Sequence, residues 1–308
     1  MLPVEFRLPA RQPFDHAGVT RFLVAHAIVG VEAVVGGEYW RTLALPGGQA
    51  VVAVRAAPAG VTGRVWFRAG EAVPGPGSLG HPELAEVAAA VGRLYDLDAD
   101  APAIDSVLGG VPELAGSLAA APGIRMPGTT DPHETLFRTL ICQQVSVKAA
   151  RTVQGNLAAA LGDPLDTGLA AVAPGGVGRL FPTAAQIAGG GTGVVRGPAQ
   201  RVRTILAVAE ALADGSLVVD RRASVPELMA GLEAMPGIGP WTAGYVAMRV
   251  LGAADILLDG DLALRAGAAA LGLPSERREL ERFAERVAPW RSYFGMHLWR
   301  DAVAAIAA

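Results

Sequence analysis

The stretch from Met235 through Pro236, Gly237, Ile238, Gly239, Pro240, Trp241 and Thr242 to Tyr245 leaves the chain few ways to fold. Ahead of it, Ser224 can cap a helix that Pro226 starts, and Leu228, Met229, Leu232 and Met235 recur at helical spacing up to the break at Pro236. Beyond it, Trp241, Tyr245, Met248 and Arg249 follow at three- and four-residue steps, which sets two aromatic rings side by side on one helix face. Gly237 and Gly239 flank one apolar residue between these segments. They permit a tight turn with positive φ, and their lack of Cβ atoms lets a large partner approach the backbone. The predicted element is a helical hairpin whose second helix begins with free N–H groups, a place suited to an anion such as a phosphate.

The 308 residues exceed one typical domain. Up to about residue 80, β-branched runs separated by Gly and Pro (Ile28 to Val35, Trp40 to Leu45, Ala50 to Arg55, Gly63 to Phe67) predict a small antiparallel sheet. A helix over Phe14 to His26, with Val19, Phe22 and Leu23 on one face, precedes them. The Gly/Pro stretch Gly70 to Pro82 marks a boundary, and from Glu83 the pattern is helical. The predicted fold class is α+β: a small N-terminal antiparallel sheet domain with helices, residues 1–80, then a mainly α domain, residues 81–308.

Within the second part, Asp131 or Thr130 can cap a helix begun by Pro132, with Leu136, Leu140, Ile141 and Val145 on its apolar face. Ala171 to Gly193 reads as a glycine-rich loop. Gly197 to Leu217 is an amphipathic helix opened by Pro198 and closed by Gly215, with Arg201 and Arg203 either solvated or within reach of a phosphate. Ile256 to Leu258 resembles a short strand. Pro289 opens a helix crowded with Trp290, Tyr293, Phe294, His297 and Trp299, of which Trp290 and Phe294 read as core.

Several classes are excluded. About half of the residues are apolar, chiefly small ones, but no run is long enough to span a bilayer, and the N-terminus carries Glu5 where a secretory signal needs an apolar core. The expectation is a soluble, cytoplasmic, monomeric protein. A single cysteine, Cys142, excludes an internal disulfide, a cysteine zinc site and a four-cysteine iron–sulfur cluster. The net charge of −3, with the two signs nearly balanced after residue 114, denies a broad basic patch. Affinity for nucleic acid would rest on a few local phosphate contacts and insertion into the duplex. Lys148 is the only lysine.

The string Pro-Gly-Ile-Gly followed by Trp-Thr-Ala, with Asp261 shortly downstream, resembles the helix-hairpin-helix DNA glycosylase superfamily. The Phe14-Asp15 pair, Phe22 and the run Val31 to Leu43 are similar to the extra sheet domain of its 3-methyladenine DNA glycosylase II (AlkA-like) group, so the resemblance covers nearly the whole chain. It implies a helical domain of two lobes with the active cleft between them, and base flipping from double-stranded DNA containing alkylated bases such as 3-methyladenine and 7-methylguanine. Asp261 would be the catalytic carboxylate, with Asp259 a nearby decoy; the plain alternative for that position is a helix N-cap, and one residue can fill both roles. Trp241, Tyr245, Trp299 and Phe22 would line the base pocket, where electron-rich rings suit a cationic base. Gly237, Gly239, Thr242, Gln143 and Gln144 would contact DNA, Gln144 as the side chain that enters the duplex gap.

Relatives that nick the strand use a lysine amine just after the hairpin. Trp241 stands there, so the resemblance implies a monofunctional enzyme that leaves an abasic site. It implies no cofactor and no catalytic metal, with a monovalent cation plausible at the backbone of Met235 and Ile238, and action at the nucleoid of a bacterium. Arg300 departs from the pattern where an aromatic sometimes follows Trp299. The alternative from another class is a non-catalytic helix-hairpin-helix DNA-binding protein, which needs Gly237 and Gly239 but neither Asp261 nor the rings.

Overall fold

The computed structural model describes residues 1–68, 82–143 and 145–307, with the side chains of the last helix to residue 302. Gln144 and the expected boundary stretch before Pro82 lie outside the described residues. Strand β1 (Val4–Pro9) and helix α1 (His16–His26) are followed by β2 (Glu32–Val35), β3 (Glu38–Leu45), β4 (Gly48–Ala57) and β5 (Gly60–Phe67). The five form one antiparallel sheet in the order β1-β5-β4-β3-β2. β1 adds to the four expected runs. Val4 and Phe6 are buried and Glu5 and Arg7 exposed, a period-2 pattern spanning only six residues. The expected run from Ile28 is shortened, because the Glu32 N–H turns back to the Ile28 carbonyl at 2.8 Å and the Glu32 carboxylate accepts the Ile28 N–H at 2.7 Å.

The rest is helical. α2 (Pro82–Leu94), α3 (Ala101–Leu108), α4 (Ala115–Ala120), α5 (Pro132–Cys142), α6 (Val147–Leu161) and α7 (Thr167–Val172) lead to α8 (Ala184–Gly190) and α9 (Ala199–Asp214). α10 (Val225–Glu233), α11 (Pro240–Leu251), α12 (Leu262–Ala270), α13 (Arg277–Ala284) and α14 (Arg291–Ala307) complete the chain. Asp15, Asp131, Ser146, Ser224 and Asp261 each cap the helix that follows, accepting an N–H that the first turn leaves free. Two expectations need correction. The glycine-rich stretch Ala171 to Gly193 contains α8, nucleated by a capping box between Thr183 and Gln186. Ile256 to Leu258 forms no strand; Ser292 on α14 holds it by hydrogen bonds to both the N–H and the carbonyl of Ile256.

Both faces of the sheet are covered. Val52, Val54 and Val65 meet Val19 and Leu23 of α1 and Leu84, Val87 and Val91 of α2. On the other face Trp40, Val51, Ala53 and Trp66 meet Leu165, Leu169 and Val177, so the segment around α7 returns to the sheet. The helices form two lobes. One gathers Leu136, Leu157, Ile187, Ile205 and Leu232. The other gathers Ile104, Leu114, Leu264, Leu280, Phe294 and Leu298. α11 belongs to both: Val246, Ala247 and Val250 enter the first core and Met248 the second, with Trp241 and Tyr245 packed against it. The hairpin helix is thus the spine between the lobes.

Candidate active site

α10 and α11 make the predicted hairpin. Gly237 adopts φ +90°, and a Cβ there would lie 2.1 Å from Thr204 Oγ1 of α9, so both conformation and space demand glycine. The Thr204 hydroxyl donates to the Pro236 carbonyl at 3.0 Å, and Ile238 is buried in the first lobe. The turn is pinned from behind while Gly237 and Gly239 stay exposed. Gly239 caps α11 without a side chain, so the N–H groups of that helix start have no side-chain partner in the cap.

Thr242 is buried, and its hydroxyl accepts a hydrogen bond from Gln143 Nε2 at 2.9 Å. Arg201 donates to the Gln143 carbonyl at 2.6 Å, and Arg203 to Gln200 Oε1 at 2.5 Å. The end of α5, α9 and the hairpin helix are therefore tied at one point.

Asp261 is where the rings converge. Its Oδ2 accepts the Trp241 indole N–H at 2.8 Å, and its Oδ1 accepts the Trp299 indole N–H at 3.1 Å and the Leu264 backbone N–H at 2.8 Å. The cap and the cluster of rings thus share one carboxylate. Three donors fix its orientation, and the side chain remains partly exposed. Asp259 is engaged elsewhere, accepting from Arg277 Nε at 2.5 Å. Arg300 turns to Ser117 and Asp301.

From Trp241 the rings continue as a ladder. Trp241 and Tyr245 stack at 5.3 Å with planes 14° apart, and Trp299 meets Tyr245 edge-on at 6.2 Å. One turn further along α11, the Arg249 guanidinium lies 4.9 Å from the Tyr245 centroid and 4.9 Å from that of Phe22. Phe22 in turn stacks on His26 at 4.2 Å. Phe22 is linked to the cluster through Arg249, whose guanidinium lies over its ring, and it also stacks on the His26 imidazole. Trp241, Tyr245, Trp299 and Asp261 come together directly. Arg249, His26 and Met296, whose sulfur lies 4.0 Å from Arg249, were not singled out by the sequence as site residues. The available signal was a lone arginine in the apolar run Tyr245 to Leu251, four residues past an aromatic.

Beside the ladder lies a buried ionic network. Glu32 Oε1 accepts from Tyr39 Oη at 2.6 Å, Arg41 at 3.2 Å and Arg138 at 3.0 Å, while Glu134 accepts from Arg41 at 2.7 Å and Arg138 at 2.9 Å. It bolts the sheet to α5. Burial alone would raise the Glu32 carboxyl, but the Arg138 and Arg41 charges and the hydrogen bonds from Tyr39 and Ile28 hold it below the usual carboxylate range. Burial pushes the His26 ring down to about 4, against its hydrogen bond to the Phe22 carbonyl and with help from Arg138 and Arg249.

Residues 5–131 match the family model of the AlkA N-terminal domain, which spans the sheet and the first helices beyond it. A protein of Mycobacterium tuberculosis named "Probable bifunctional transcriptional activator/DNA repair enzyme AlkA" is 41% identical over 96% of this chain and 56% of its own length. The chain therefore spans little more than half of that relative. The Escherichia coli DNA-3-methyladenine glycosylase 2 is 30% identical, with 96% of both chains covered. The chain belongs to the AlkA family of DNA glycosylases. In this family member the fold also matches the solved 3-methyladenine DNA-glycosylase of Archaeoglobus fulgidus, with TM-score 0.78 at 18% identity over 96% of this chain and 97% of that one. Among the described residues of the AlkA family chain, no helix is long and apolar enough to cross a membrane.

Proposed function

We propose that the chain is a monofunctional DNA glycosylase that flips alkylated purines, 3-methyladenine and 7-methylguanine among them, out of duplex DNA and hydrolyses the N-glycosidic bond to leave an abasic site. The observation that carries this reading is the convergence of two indole N–H groups on the two oxygens of Asp261. As the bond to the base breaks, positive charge grows on the sugar, and a carboxylate held in place by three donors needs no reorganisation to stabilise it. The ring faces beside it offer a stacking surface for a planar cation.

In this reading Trp241, Tyr245 and Trp299 line the base pocket, and Phe22 shapes it from behind Arg249. Gly237 and Gly239 present backbone N–H groups to a phosphate. Gln143 and Thr242 brace the hairpin, and Gln144 fills the gap left by the flipped base, which offsets part of an unstacking cost of a few kcal/mol. A monovalent cation would use the carbonyls of Met235 and Ile238; the Met235 carbonyl accepts the Ile238 N–H at 3.1 Å and keeps a second lone pair. Trp241 at the position after the hairpin and Lys148 on α6 argue for direct hydrolysis rather than a Schiff base. Residues 1–80 and 81–308 are assigned as the two domains, and the site of action as the cytoplasmic nucleoid, by a monomer.

The test is base release from methylated duplex DNA by wild type and Asp261→Asn, with strand nicking scored before and after alkali. Asparagine still caps α12, so the variant should fold and lose release by about a hundredfold or more. Wild-type nicks should appear only after alkali. Equal release by both proteins would remove Asp261 from catalysis, and DNA binding without release by either would favour the non-catalytic binding protein.

A further inference from the structure

Arg249 is 5% exposed. Its guanidinium donates to the Pro127 carbonyl at 2.7 Å and faces the Met296 sulfur at 4.0 Å, and its Nε has no hydrogen-bond partner. No ion pair of Arg249 occurs among the described residues. Asp96 lies within electrostatic reach, but its Oδ2 accepts from the Met126 N–H and the Tyr293 hydroxyl instead. His26, the other titratable group facing the cluster, is held in its neutral form by burial. A cation buried without a counter-ion is costly, and packing alone would be served as well by an apolar side chain. The π faces of Phe22 and Tyr245 compensate part of the cost and fix the charge in place.

On the glycosylase reading above, we propose that Arg249 is a specificity-determining residue that stabilises the departing base, and does so more for a neutral damaged purine than for a cationic one. Arg249 lies 4.9 Å from the Tyr245 ring that Trp299 meets edge-on, and Met296 touches it from one turn before Trp299 on α14, so a base stacked on these rings would have the charge one ring away. When the C1′–N bond breaks, both electrons leave with the base, C1′ takes the oxygen of water, and one water proton is freed. A methylpurinium departs neutral and the proton goes to solvent. A neutral purine departs as an anion and takes the proton up. Relative to free enzyme and DNA, the fixed positive charge opposes binding of the methylpurinium and is relieved of that opposition as the bond breaks. It is indifferent to a bound neutral purine and attracts the anion that forms. The signature is a split between KM and kcat that depends on the charge of the base.

Single-turnover release of hypoxanthine, a neutral purine, and of 7-methylguanine, a cation, from duplexes otherwise alike tests this with the full chain. With enzyme in excess of the DNA but below half-saturation, Arg249→Gln and Arg249→Met should each lose about tenfold more on hypoxanthine than on 7-methylguanine, the ratio expected for a loss of one pK unit of interaction. Half-saturation on 7-methylguanine should tighten, and Arg249→Lys should restore most of the ratio. Both substrates are read with one preparation, so a reduced folded fraction cancels from the ratio. Equal losses on the two substrates would make Arg249 a packing residue and overturn the inference while leaving the glycosylase reading intact. Release of neither base by wild type would overturn both.

Discussion

Two buried arginine sites tie the N-terminal elements to the later helices, one through β2 and β3 and the other through α1, and they are built on opposite principles. In one, Arg41 and Arg138 face Glu32 and Glu134, so two cations meet two anions and the contacts are salt bridges of 2.7 to 3.2 Å. In the other, Arg249 sits between two aromatic rings with no carboxylate paired to it. The first cluster is balanced and closed, and its geometry serves to hold β2, β3 and α5 in register. The second keeps an uncancelled charge beside the rings that lead to Asp261. Charge balance therefore separates a structural arginine from one whose field is available to a bound molecule. His26 touches both sites, its ring on Phe22 and its carbonyl accepting from Arg138 at 2.7 Å.

The largest effect is expected from unbalancing the first site. Glu134→Gln leaves Arg41 and Arg138 with one carboxylate between them, and the loss should be about 3–5 kcal/mol in denaturant unfolding. A loss below about 1 kcal/mol would mean that the network is hydrated and not the closed unit described.

An intermediate effect is expected from pH. His26 and His297 are both pushed down to about 4, mainly by burial, with Arg300 adding to the effect at His297. Their folded values lie below the unfolded value of about 6.5, so the unfolded chain takes up protons that the folded chain refuses. Stability is then lost as pH falls from about 6.5 towards 4. Asp96 acts in the opposite sense over much of this window, because burial pushes its carboxyl up to about 6 and the folded state holds a proton that the unfolded state lacks. Two groups against one leave a net loss on the order of 1–3 kcal/mol. Unfolding measured at about pH 7 and about pH 5 should show it, and His26→Gln should flatten the slope. An unchanged slope would mean that the ring on Phe22 carries its proton in the folded state.

The smallest effect completes the contrast. Arg249→Met removes an uncompensated charge and one hydrogen bond, and the thermal midpoint should correspond to a change within about 1 kcal/mol in either direction. A loss as large as that of Glu134→Gln would erase the distinction between the two arginine sites.

Much of this arrangement was legible along the chain because it depends on near neighbours. The capping residues Asp131, Ser224 and Asp261 act on N–H groups three positions away, and the turn at Gly237 is written in its two glycines. The spacing of Trp241 and Tyr245 follows from the helix period, so the residue pattern already stacks these two rings, and the family resemblance points to Asp261 beside them. The α8 helix reads as loop in the sequence, because the glycines around it outweigh the capping pair Thr183 and Gln186.

What the sequence determined by itself is therefore local: four of the five sheet strands, the hairpin, its caps, and two rings on one face of one helix, while the family resemblance marks Asp261. Tertiary structure alone decided which distant groups complete them. Arg41 meets Glu134 across 93 residues and Arg138 meets Glu32 across 106. Trp299 joins Trp241 on Asp261, and Phe22 of the first helix closes on Arg249 of the eleventh. Backbone propensity and hydrophobic period act over one or two turns. A charge is balanced or left uncompensated only by what packing brings within a few ångströms of it, and nothing in the local pattern around Arg41 or Arg249 distinguishes the two outcomes.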